Sequence, residues 1–117
     1  MRFYYMNDDE RYELELILHY CNKIESHIAY FGDDREIYMT NEHYQDACAL
    51  VIIQIGEHIG RLSDDFRQEY PDVPWRDFKG MRNIYAHNYE GIMHDVVWIT
   101  MKEDIPFLKE YIESVLG

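Results

Sequence analysis

The chain has 117 residues and a mass of 14.3 kDa, and its 11 Lys+Arg against 23 Asp+Glu leave a formal net charge of −12. That length implies one domain, residues 1–117, with one core and no room for a separate cofactor domain. A content of 47% hydrophobic and 15% aromatic residues allows that core. The excess of acid opposes holding nucleic acid by general electrostatics, which needs clustered Lys and Arg.

Apolar residues recur at helical intervals almost throughout. Leu14, Ile17, Cys21, Ile24, Ile28 and Phe31 form one stripe and predict a helix over about residues 8–31. Asn7 is its expected N-cap, with Glu10 completing a capping box, and Gly32-Asp33-Asp34 ends it. Tyr44, Cys48, Val51, Ile55, Ile59, Leu62 and Phe66 continue the pattern and predict a second helix from Asn41 or Glu42 to Glu69. Gly56 and Gly60 share a face of it and suggest close approach of another helix, since Gly otherwise costs about 1 kcal/mol against Ala in a helix interior.

Pro71 and Pro74 then break the chain, and Pro74 can open a third helix running to His87 or Asn88. A fourth helical region spans about Asp95 to Val115, with a kink or split expected after Asp104 or Ile105 because Pro106 lies within it. The pattern predicts an all-α bundle of four to five helices framed by the two long ones.

Other features are plain. Cys21 and Cys48 fall in apolar helical stripes and read as reduced core thiols. Neither they nor His19, His27, His43, His58 and His94 have metal-ligand spacing, so no metal and no cofactor are expected. There is no signal-peptide h-region and no apolar run long enough for a membrane span, so a cytoplasmic protein is expected. The 11 tyrosines suit either a partner surface or a core whose hydroxyls reach water.

The segment that carries chemistry is Gly80-Met81-Arg82-Asn83-Ile84-Tyr85-Ala86-His87-Asn88-Tyr89. At about 100° per residue, Asn83 and His87 share a helix face, as do Tyr85 and Tyr89, and Arg82 flanks the first pair. Arg presents a charged planar fork suited to phosphate. His exchanges protons near neutral pH. Such a set suits phosphodiester cleavage in RNA, where the 2′-hydroxyl is an internal nucleophile. On residue types alone, however, Arg82 could simply pair with a helix carboxylate and His87 simply end a helix.

The surrounding words favour the chemistry. Ile55-Gly56-Glu57, Val73-Pro74-Trp75-Arg76, Gly80-Met81-Arg82-Asn83, Ala86-His87-Asn88-Tyr89 and Val96-Val97-Trp98 follow in that order. From about Leu14 to Ile112 the chain resembles the HEPN superfamily and, within it, the HepT-like toxins of HEPN/MNT toxin–antitoxin pairs. The usual glycine after the motif histidine is Asn88 here, a residue that can also take left-handed backbone angles.

The resemblance implies a HEPN-like antiparallel helical bundle that dimerises around the motif helix and cleaves RNA, mRNA or tRNA, without a metal. It implies that Arg82 binds the scissile phosphate, His87 acts as general acid/base and Asn83 orients the site. Tyr89 is the implied target of a cognate MNT nucleotidyltransferase antitoxin that adds AMP. The alternative is a non-catalytic module of the same fold that binds a nucleotide and docks the nucleotidyltransferase.

Two neighbours stay open. Glu57 could steer the motif arginine or simply be a polar partner at the bundle edge, and it is not read as catalytic. Trp75 and Arg76 could flank RNA, although a Trp after a helix-opening Pro suits a core staple. Residues 61–89 hold five basic groups (Arg61, Arg67, Arg76, Lys79, Arg82) and five acidic ones, so the whole charge of −12 lies elsewhere. The acidity therefore opposes non-specific binding of RNA, not binding at the motif.

Overall fold

In the computed structural model, which describes residues 4–117 (the side chains of Ile84 and Ala86 excepted), the first helix, α1, spans Asp8–Phe31. Its start is set by a capping box. The Asn7 side chain accepts from the Glu10 backbone N–H at 2.7 Å, and the Glu10 carboxylate accepts from the Asn7 N–H at 3.5 Å. Its end is set by Gly32 at φ 127°, a backbone angle that L side chains rarely adopt. Leu14, Ile17, Cys21 and Ile24 are fully buried along one stripe. Each such aliphatic side chain is worth about 1.5–3 kcal/mol when removed from water.

A short helix, α2, follows at Arg35–Met39, capped by the Asp34 carboxylate. Helix α3 runs Glu42–Gly60, capped by Asn41. The expected continuation to Glu69 does not occur. The chain turns at 61–63, and a separate helix, α4, spans Asp64–Glu69. Ser63 causes the break, because its Oγ accepts from the Phe66 N–H at 3.0 Å and Asp64 and Asp65 complete an acidic first turn. Leu62 and Phe66 are buried on either side of the turn, so the apolar spacing continues through it.

Helix α5, Trp75–His87, begins directly after Pro74, whose carbonyl accepts from the Asp77 and Phe78 N–H groups. Trp75 is in the core. Its indole N–H donates to the Tyr70 carbonyl at 2.7 Å and its ring meets Phe66 and Tyr111. It is not a surface for stacking RNA bases. After a 3₁₀ turn at Tyr89–Gly91 come α6, His94–Ile99, and α7, Ile105–Leu116. A π-helical turn at Thr100–Asp104 joins them, so the predicted disturbance near Pro106 is a widened turn with Pro106 in the first turn of α7.

The result is an all-α bundle with two more helical pieces, α2 and α4, than the periodicity resolves. Helix α3 lies at its centre, packed against α1 on one side and α5 on the other, and α7 closes on α1. Cys21 and Cys48 are buried free thiols. Among the described residues, no helix is long and apolar enough to cross a membrane.

Candidate functional site

The site is built on the seam between α3 and α5. Gly56 makes the seam possible. A Cβ there would lie 2.5 Å from the Arg82 Cβ and 3.2 Å from the Phe78 carbonyl oxygen, so only glycine lets α5 approach this closely. Four residues on, a Cβ at Gly60 would meet only the alkyl stem of Lys79, at 3.6 Å from Cε. The expected close approach of another helix holds at Gly56, under Arg82, whereas at Gly60 the Lys79 stem lies at ordinary contact distance and requires no glycine.

Contacts along the seam run in opposite order on the two strands of sequence. Asp46 meets Tyr89, Glu57 meets Arg82 and Gly60 meets Lys79, so α5 runs antiparallel to α3. Arg82 is held on two sides. Its Nε donates to the Glu57 carboxylate, and one terminal nitrogen donates to the Asn83 Oδ1 at 3.0 Å. Glu57 is therefore an ion-pair partner of the arginine. The Arg82 side chain keeps 38% of its surface exposed, and its guanidinium has donors beyond the two committed ones to offer a ligand.

His87 is the last residue of α5, exposed, and makes no hydrogen bond or ion pair among the described residues. It lies five positions after Arg82, which places the two about 140° apart around the helix. Asn83 sits between them, bonded to Arg82 and only about 40° from the His87 direction. The helix ends at His87, so Tyr89 does not continue the face of Tyr85. Tyr85 is buried with its hydroxyl unpartnered among the described residues, whereas Tyr89 lies in the 3₁₀ turn and donates its hydroxyl to Asp46 on α3. Burial, then the Asp46 hydrogen bond and the Asp46 and Glu42 charges, push the Tyr89 phenol up to about 12. Asn88 does not adopt the left-handed region either, with φ −149°.

Asp46 is the site residue that the sequence reading misses. The signal is present in hindsight. Asp46 and Glu57 are eleven residues apart, three helical turns to within about 20°, so both carboxylates lie on the α5-facing side of α3. Between the helices, Gly56, Glu57, Gly60, Arg61, Lys79, Arg82 and Asn83 line a cleft of about 250 Å³.

A family model described as "Ribonuclease HepT-like" matches residues 17–115. The chain belongs to this HepT-like ribonuclease family. It is 35% identical over 80 residues to "Probable ribonuclease HepT" of Thermococcus cleftensis, an alignment covering 68% of this chain and 73% of that protein. It is 35% identical over 82 residues to "Putative RNase MJ1380" of Methanocaldococcus jannaschii, covering 70% and 75%. A second protein of that organism, "Gamma-glutamylcyclotransferase and putative RNase MJ0434", is 34% identical over 111 residues, covering 95% of this chain and 49% of that protein. No solved structure matches the chain. The HepT-like match includes both helices of the seam, so Glu57, Arg82, His87 and Tyr89 all lie within the matched region.

Proposed function

We propose that the 117-residue chain is a single-domain, toxin-type endoribonuclease that cleaves cellular mRNA or tRNA without a metal and works in the cytoplasm as a homodimer. The observation that carries the reading is the partly exposed Arg82 side chain, held by Glu57 and Asn83, on the same helix as an exposed His87 that has no partner among the described residues. In the proposed reaction the RNA 2′-oxygen attacks the adjacent phosphorus as its proton passes to a histidine. The bond from phosphorus to the 5′-oxygen breaks, and that oxygen takes a proton from a second acid. The product is a 2′,3′-cyclic phosphate and a free 5′-hydroxyl. Arg82 stabilises the charge on the equatorial phosphate oxygens. His87 moves the protons, a role typically worth about 10²–10⁴-fold.

One helix turns its Arg82 and His87 apart, and one imidazole cannot be acid and base at once. A dimer with two sets in one cleft answers both points. What supports it is the apolar surface beside α5. Met93, Val96 and Ile99 are more than half exposed, and Met93 and Val96 line an apolar cleft of about 240 Å³ with Met81 and Tyr85.

Regulation would act through Tyr89. A cognate MNT nucleotidyltransferase would join the Tyr89 oxygen to the α-phosphorus of ATP, releasing pyrophosphate. AMP two residues from His87 then adds bulk and negative charge where the RNA phosphate must sit. The partly exposed phenol is within reach of such a partner.

The test uses purified protein, labelled RNA and EDTA. Cleavage that persists in EDTA and is lost in Arg82→Ala and His87→Ala is the expected result. Equal cleavage by the variants overturns the roles, and RNA binding without cleavage moves the chain to the docking-module alternative. Intact mass after incubation with ATP and a candidate MNT-type nucleotidyltransferase, for wild type and Tyr89→Phe, reads the modification directly.

A further inference from the structure

The cations of this acidic chain are not scattered. The cleft beside Arg82 is lined by Arg61, Lys79 and Arg82 against one carboxylate, Glu57. A second and larger cleft of about 730 Å³ is lined by Arg67, Arg76 and Lys79 against one carboxylate, Asp64. Lys79 lines both, so the clefts adjoin. Together they hold five cations and two carboxylates in a molecule whose net charge is −12.

The cations are also placed for a ligand. Arg76, Lys79 and Arg82 are three residues apart on α5 and form one ridge over about 9 Å of helix axis. The Lys79 stem lies over Gly60 of α3 at ordinary contact distance. Arg61 stands at the end of α3 where the chain turns towards α4. Arg61, Arg76 and Lys79 are exposed and make no ion pair among the described residues, whereas Arg35, Lys102 and Lys109 are paired with carboxylates. Arg67 is paired with Asp64 at 2.6 Å and is the least available of the set.

We propose that the two clefts form a phosphate track for the RNA strand, in which Arg61, Lys79 and Arg76 bind successive backbone phosphates leading away from the one at Arg82. This rests on the ribonuclease reading above and deepens it. The track reads backbone rather than bases, because the aromatic side chain that borders it, Trp75, is buried with its indole N–H committed to Tyr70. Acidic surface elsewhere repels the strand and confines it to this path. The three residues are binding residues, not catalytic ones.

The experiment measures affinity for a short fluorescein-labelled single-stranded RNA by anisotropy across a salt series. The protein carries His87→Ala so that the probe stays intact. Arg61→Gln, Lys79→Gln and Arg76→Gln are added singly. Arg11→Gln and Lys23→Gln, exposed on α1 outside both clefts, are the controls. Each track variant is expected to weaken binding several-fold and to flatten the plot of log affinity against log salt by about 0.7 per cation. The controls are expected to leave the slope unchanged. In the His87 background, slopes equal to the parent, equal loss in the controls, or no binding by the parent each overturn the track.

With His87 restored, the track variants should raise KM and leave kcat unchanged. Expected slope losses in the track variants together with no cleavage by wild-type protein sink the ribonuclease reading and leave the track standing. Cleavage with unaltered KM in all three variants sinks the track and leaves the ribonuclease.

Discussion

Arg82 and His87 occupy two ends of the same short helix segment, and the protein treats them in opposite ways. Arg82 is seated over Gly56, tied to Glu57 and tied again to Asn83. His87 ends the helix in the open, with no partner among the described residues. Stabilising charge on a phosphate requires donors already in place, because reorientation during the reaction costs rate. Proton transfer requires reach to an atom of the substrate, and the histidine can be oriented by what binds. Under the proposed ribonuclease function, the contrast is that of a preorganised clamp beside a proton carrier left to be completed by RNA or by a second protomer.

Chemical rescue tests that contrast most strongly. Arg82→Gly and His87→Gly should each lose about 10²–10⁴-fold in single-turnover cleavage. Added imidazole should restore part of the activity of His87→Gly, because its site is open. Added guanidinium should restore none to Arg82→Gly, because a free cation must find Glu57, Asn83 and the phosphate at once. Rescue of the arginine variant, or failure for the histidine one, would reverse the assignment of held and free groups.

The seat can be broken without touching either residue. In Gly56→Ala the new Cβ would press on the Arg82 Cβ and the Phe78 carbonyl, and overpacking of this kind costs about 1–3 kcal/mol. Gly60→Ala would meet only a lysine stem at ordinary contact distance and, at the last residue of α3, gains part of the ~0.5–1 kcal/mol by which Ala is favoured over Gly in a helix interior. Urea midpoints should therefore move in opposite directions for two substitutions one turn apart. Cleavage should fall only in Gly56→Ala.

Glu57→Gln is subtler. The partly exposed pair contributes at most about 1 kcal/mol to stability, so the midpoint should barely move. If Glu57 aims the guanidinium, kcat should still fall, by about tenfold. An unchanged kcat would make Glu57 a bundle-edge partner and nothing more.

Much of this was legible in the chain itself, for stated reasons. The bounds of α1 follow from its cap, its stripe and Gly32, all of which are local signals. Gly56 announces the seam because a glycine in a helix interior needs a cause. The break at 61–63 was hidden because Leu62 and Phe66 are buried on both sides of it, and periodicity reports burial, not continuity. Helix α2 is five residues long, too short to show a period. Tyr85 and Tyr89 were paired by helical spacing, but the helix ends between them. One phenol goes to the core and the other turns back to Asp46. Asp46 itself becomes visible only once α5 is known to run antiparallel to α3, a tertiary fact.

That last contact yields the smallest effect and the narrowest test. In the unfolded chain Tyr89 loses its proton near pH 10. In the fold, burial first and Asp46 second hold the proton until about 12. The folded state thus keeps a proton that the unfolded state releases. Stability from this group is fully present below pH 10 and drains away as pH rises towards 12. Tyr38, Tyr44 and Tyr85 are also pushed up by burial, so wild type alone cannot isolate it. Tyr89→Phe can. Between about pH 9 and about pH 11 its urea midpoint should fall less than that of wild type, the other tyrosines cancelling in the comparison. Asp46→Asn should remove only part of the difference, because the carboxylate is the second cause and burial the first. If Asp46→Asn instead matches Tyr89→Phe, the phenol is governed by its partner on α3 alone. Tyr89 would then belong with Arg82, among the groups that α3 holds, and His87 would stand alone as the group left open.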